Sequence, residues 1–72
     1  DEALFQDLRK LRKSIADAQG VPAYIVFNDT TLREMAVKRP ITPEEFLAMS
    51  GVGPAKLDQY GEVFLEIIKG VS

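Results

Sequence analysis

Apolar residues recur at helical spacing at both ends of this chain. Leu4, Leu8, Leu11 and Ile15 repeat every three or four positions and predict one amphipathic helix from Glu2 to about Gln19. Asp1 and Glu2 stand where the helix dipole favours anions, and Gly20 and Pro22 supply a stop. Asn28 or Asp29 caps a second helix that runs to about Lys38, burying Leu32, Met35 and Ala36, and Pro40 ends it. Thr42-Pro43-Glu44-Glu45 opens a short third helix. Thr42 caps it, Pro43 takes the first helical position, Glu45 closes a capping box, and Phe46, Leu47 and Met49 are its apolar residues. After the tight turn Ser50-Gly51-Val52-Gly53-Pro54, the residues Leu57, Tyr60, Phe64, Ile67, Ile68 and Val71 share one helical face. Gly61 is a candidate break in that last region, at a cost of about 1 kcal/mol relative to Ala. No strand alternation, internal repeat or low-complexity segment competes.

The connection from Val21 to Asp29 departs from the rule that loops are polar. It carries Val21, Tyr24, Ile25, Val26 and Phe27, so it folds into the domain and is not a loose linker. Its length suits a single 3₁₀ turn. The pattern is therefore all-α, with a 3₁₀ turn between the first two helices. Its expected core is Leu4, Leu8, Leu11, Ile15, Phe27, Leu32, Phe46, Val52, Leu57, Phe64 and Ile67.

Composition narrows the function. With 72 residues the chain is long enough for one domain, and with no cysteine and no histidine it lacks disulfides, thiolate metal sites and the commonest general base. A hydrophobic content of 46% leaves stability to apolar packing. No run of eighteen apolar residues spans a membrane. The chain starts in helical sequence without Met and reads as one domain, residues 1–72, cut from a larger protein. No acidic pair stands beside a nucleophile, a base or residues at metal spacing, so catalytic and metal residues are expected to be absent. A net charge of −2 opposes strong duplex binding, although the local distribution of cations decides contact.

Three groups of residues carry candidate chemistry. Arg9 and Lys13 stack four apart, with Arg12 at the edge of their face and Lys10 pointing elsewhere; such cations contact phosphates, or simply form a solvated helix face. Tyr24 on its turn could stack on an unpaired base, whereas pattern alone favours a core tyrosine with its hydroxyl at the rim. Gly51 and Gly53 allow close backbone approach at a helix start, with Lys56 placed to join a phosphate contact; the alternative is a helix-to-helix turn whose Val52 plugs the core.

In order and spacing these pieces resemble the HRDC domain, the helicase-and-RNase-D C-terminal module. The resemblance rests on Leu8-Arg9-Lys10-Leu11-Arg12, on Val21 through Leu32, on Pro40 and Thr42, on Gly51-Val52-Gly53 with Lys56, and on Tyr60-Gly61 and Phe64. The Tyr24-to-Leu32 segment looks most like bacterial RecQ-family DNA helicases, with the ribonuclease D version as the nearest competitor. The resemblance implies a compact orthogonal bundle of about five helices with a 3₁₀ turn, acting as an auxiliary module that binds single-stranded or branched DNA beside an ATP-driven helicase core, itself a second partner. It also implies an exposed aromatic on the 3₁₀ turn within a basic patch, a position Tyr24 occupies. Arg9, Arg12, Lys13 and Lys56 are the expected phosphate contacts. No cofactor is expected in this domain. ATP and Mg²⁺ are implied for the motor of a parent helicase, with zinc elsewhere in that parent. A monomer in the bacterial cytoplasm, at the nucleoid, completes the expectation. The competing readings are a protein-docking module that does not bind DNA and an RNA-binding accessory of a ribonuclease.

Overall fold

The computed structural model describes residues 1–70 and is all helix: α1 Glu2–Gln19, α2 Ala23–Val26, α3 Asp29–Lys38, α4 Pro43–Leu47 and α5 Pro54–Gly70. Val71, assigned by pattern to the last apolar face, lies outside the described residues. Helix ends follow from local chemistry. The Asp1 carboxylate accepts the Leu4 N–H, the Asn28 side chain accepts the Thr31 N–H, and the Thr42 hydroxyl accepts the Glu45 N–H. Glu45 reaches back one residue further than a capping box requires, accepting the Ile41 N–H at 2.9 Å. Gly20 turns α1 off in the left-handed region (φ 69). The segment expected to be a 3₁₀ turn is instead a single turn of α-helix, α2, entered by an i→i+3 bond from the Ile25 N–H to the Pro22 carbonyl.

α1 packs against α2, α3 and α5, while α4 packs on α5. Phe27 sits at the centre. Its ring meets Phe46, Tyr60 and Phe64 edge to face, with centroids 6.0, 5.7 and 5.0 Å away. Around it Leu4, Leu8, Leu32, Met35, Phe46, Phe64 and Ile68 are fully buried.

Four expected core residues, Leu11, Ile15, Leu57 and Ile67, are only half-buried. The reason is a rotation of each stripe by about one position. α1 buries the row Leu4, Leu8, Arg12, Ala16 with Phe5 beside it, and α5 buries Tyr60, Gly61, Phe64, Leu65 and Ile68. Gly61 does not break α5, which runs through it. A Cβ there would lie 2.6 Å from Leu57 Cδ1, one turn back on the same helix, and in ordinary contact, 3.9 Å, with Phe46 of α4.

Candidate nucleic-acid interface

The turn between α1 and α3 splits its apolar residues two ways. Val26 and Phe27 enter the core, while Tyr24 is 68% exposed and Ile25 46% exposed. A single helical turn cannot hold such a geometry by its own backbone bonds. Two cations from other helices hold it. Arg12 of α1 donates to the Phe27 carbonyl at 3.0 Å and pairs with Asp29 at 2.7 Å. Lys56 of α5 donates to the Ile25 carbonyl and, at 2.7 Å, to the Val26 carbonyl. Its ammonium also lies 5.5 Å and 5.7 Å from the Phe27 and Tyr60 ring centres. Three consecutive carbonyls after Tyr24 thus have a charged donor.

This placement corrects two expectations. Arg12 is buried, not at the surface, because it continues the Leu4–Leu8 row into the interior; its guanidinium is spent on Phe27 and Asp29. Among the described residues its Nε has no hydrogen-bond partner. Lys56 is half-buried with its ammonium on two carbonyls, so it anchors the turn and does not face solvent as a phosphate contact. The hydrogen bond and charge of Arg12 hold the Asp29 carboxyl below the ordinary aspartate range.

The other cations lie beside the turn. A groove of roughly 510 Å³ runs between α1 and the start of α2, walled by Arg9, Lys10 and Lys13 on one side and by Val21, Pro22 and Ala23 on the other. Tyr24 follows Ala23 in sequence and is not itself part of the groove's lining. Lys13 is exposed and pairs with Asp17 at 3.2 Å. Arg9 bonds only the Gln6 amide, at 3.5 Å, and stands 5.9 Å from the Phe5 ring centre. Lys10, which pattern pointed elsewhere, lines the same groove and pairs with no carboxylate among the described residues. It stands one residue from Arg9 and three from Lys13, so a groove broader than one helical row was the missing signal.

The glycine turn is further from this surface. Gly51 adopts φ +82, and a Cβ on it would meet Thr31 Oγ1 at 2.6 Å, where that hydroxyl donates to the Ser50 carbonyl. The fold alone accounts for glycine at this position. Gly53 has open space around it, and its carbonyl accepts the Leu57 N–H in the first turn of α5. Val52 is buried, as a core plug requires. Among the described residues no group of side chains could hold a metal ion, and no helix is long and apolar enough to cross a membrane.

The turn thus presents an exposed ring, and the neighbouring face of α1 a short row of cations. Comparison with known proteins identifies the family. The HRDC domain family model matches residues 1–68. The chain is 52% identical over 69 residues to the ATP-dependent DNA helicase RecQ of Pasteurella multocida, covering 96% of this chain and 11% of that protein. It is 46% identical over 69 residues to the ATP-dependent DNA helicase RecQ of Bacillus subtilis, covering 96% of this chain and 12% of that protein. The chain therefore spans about a tenth of the length of these curated relatives. Among solved structures, D. radiodurans RecQ HRDC domain 3 superposes with a TM-score of 0.90 at 34% identity, covering 94% of this chain and 90% of that one.

Proposed function

The chain belongs to the HRDC family, and on that premise we propose that it is an auxiliary nucleic-acid-binding domain of a RecQ-like DNA helicase. It binds single-stranded or partly unwound DNA weakly and tunes which substrates the motor engages. ATP and Mg²⁺ serve the motor of the parent protein and not this domain. The observation that carries the reading is Tyr24, a ring 68% exposed on a turn whose carbonyls two cations hold. An unpaired base stacks on that ring while Arg9 and Lys10 meet flanking phosphates across the groove.

The net charge of −2 sets the strength. Arg12 and Lys13 are matched by Asp29 and Asp17, while among the described residues Arg9 and Lys10 form no ion pair. Two phosphate contacts give a slope of about −1.4 in log K against log salt, at roughly −0.7 per contact on single strands. Such binding matters through tethering, because a neighbouring motor bound to the same DNA raises the effective concentration of the strand.

Titration of labelled oligo-dT at two salt concentrations tests this. Tyr24→Ala is expected to weaken binding by about 1–3 kcal/mol, the worth of one stacked base. Equal affinity of Tyr24→Ala and wild type removes the tyrosine from the interface.

A further inference from the structure

The acidic residues of the chain are not distributed like its cations. Glu2, Asp17, Asp29 and Glu34 each pair with an Arg or Lys, and Asp1 and Glu45 cap backbone N–H groups. Five others do neither among the described residues: Asp7 and Glu44 on other helices, and Asp58, Glu62 and Glu66 together on α5. The last three stand at i, i+4 and i+8 on α5, a spacing at which like charges destabilise a helix. No local interaction compensates them, so the fold gives no reason for their row.

Beside them lies a second groove of roughly 560 Å³, between the start of α4 and the length of α5. Pro43 forms one wall, and Leu57, Gly61 and Leu65 form the floor. Gly61 adds no side chain to that floor, and a Cβ there would displace the tip of Leu57. The carboxylates Asp58, Glu62 and Glu66 rim the groove, and Lys69 closes one end. Floor and rim are parallel rows offset by one residue. Both have the four-residue spacing of a helix and run about 12 Å from first to last.

We infer that this α4–α5 groove is a docking site for a basic amphipathic helix of a protein partner. Apolar side chains of the partner at four-residue spacing fill the trough over Leu57, Gly61 and Leu65. Its Lys or Arg residues, at the same spacing, meet Asp58, Glu62 and Glu66. Charge complementarity selects this occupant. An acidic or neutral helix meets uncompensated repulsion or leaves the rim unmatched, and nucleic acid is repelled by the same carboxylates. A second copy of this chain does not fit the description, because the apolar row of its basic helix α1 is buried in its own core. The groove lies apart from the Tyr24 surface, and the inference does not depend on the DNA-binding reading.

The test is an NMR titration of the ¹⁵N-labelled chain with a designed helical peptide carrying a leucine row flanked by lysines. Two comparison peptides are used, one with each lysine replaced by glutamate and one scrambled. Saturable shifts confined to α4 and to the α5 residues Leu57–Glu66, seen only with the basic amphipathic peptide, support the inference. Glu62→Lys should then weaken the peptide about tenfold, because reversal exchanges an attraction for a repulsion. Asp7→Lys makes the same change in net charge on an exposed part of α1 outside the groove, and should alter affinity less than twofold. Equal weakening by Asp7→Lys, shifts centred on α1, equal binding of the scrambled peptide, or no binding at millimolar peptide would each overturn it. So would sedimentation showing that the chain alone dimerises through this face.

Discussion

Lys56→Met separates two roles that a lysine beside a DNA-binding turn can play. The methionine keeps an apolar stem near the Phe27 and Tyr60 rings but removes the charged donor from the Ile25 and Val26 carbonyls. A hydrogen bond to a charged group is worth about 1.5–3 kcal/mol. Ile25 is nearly half exposed, so water replaces part of what is lost there. The low end, about 1.5 kcal/mol, is therefore expected in urea unfolding. That corresponds to a Tm lower by about 6–12 °C for a domain this small. Hydrogen exchange at the Ile25 amide, bonded only within its own turn to the Pro22 carbonyl, should accelerate. Affinity for oligo-dT falls because the Tyr24 ring loses its fixed direction. The salt slope stays at the wild-type value, because no phosphate contact has been removed. Unchanged stability together with a slope shallower by about 0.7, one phosphate contact, would refute this reasoning and return Lys56 to the DNA surface.

Three further outcomes follow from the same geometry. Arg9→Met and Lys10→Met should each make the salt slope shallower by about 0.7 while leaving stability within about 0.5 kcal/mol, as expected for exposed positions; oligo-dT titrations across a salt series and urea melts check both. Gly51→Ala should destabilise by more than about 1 kcal/mol through its φ of +82 and the Thr31 hydroxyl in its way, without changing the DNA salt slope. Stability should be flat between pH 6 and 8, since the chain has no histidine, and should fall in acid. The Glu2 carboxyl is held down by Gln6 and Arg33, that of Asp29 by Arg12, and that of Glu34 by Lys38 and Ser50. With folded pKa values below the unfolded ones, each contribution is complete above the ordinary carboxylate range near 4 and is lost as pH drops through the lower folded value. Thermal melts of wild type and Asp29→Asn should therefore converge as pH falls below about 4.

Much of this domain is legible in its residues, and the exceptions have one physical origin. Caps, stops and proline positions act locally, so the helix boundaries at Gln19 and Lys38 and the Thr42-Pro43 start are read directly. Which side of a helix faces inward depends on neighbours far away in sequence. Leu11 and Ile15 fit an apolar stripe as well as Leu8 does, and only the packing of α3 and α5 on α1 rotates the buried row toward Arg12 and Ala16. An arginine in line with Leu4, Leu8 and Ala16 is itself a clue, since a buried guanidinium requires an internal acceptor. The acceptor, the Phe27 carbonyl, is fifteen residues away. Lys56 is obscure for the same reason: its carbonyl partners lie thirty and thirty-one residues back along the chain. Tyr24 read by pattern as a core residue and by family resemblance as an outward one, and its ring stands outward. Asp58, Glu62 and Glu66 are solvent-exposed, and only the packing of α4 on α5 sets a groove beside them.

An NMR titration with oligo-dT tests whether a base stacks on Tyr24 while Arg9 and Lys10 hold the flanking phosphates. The largest amide shifts should fall on Ala23–Val26 and on the Arg9–Lys13 side of α1, with the Tyr24 ring protons moving upfield as a base covers them. Shifts centred on the carboxylate face of α5, or ring protons that do not move at saturation, would contradict it.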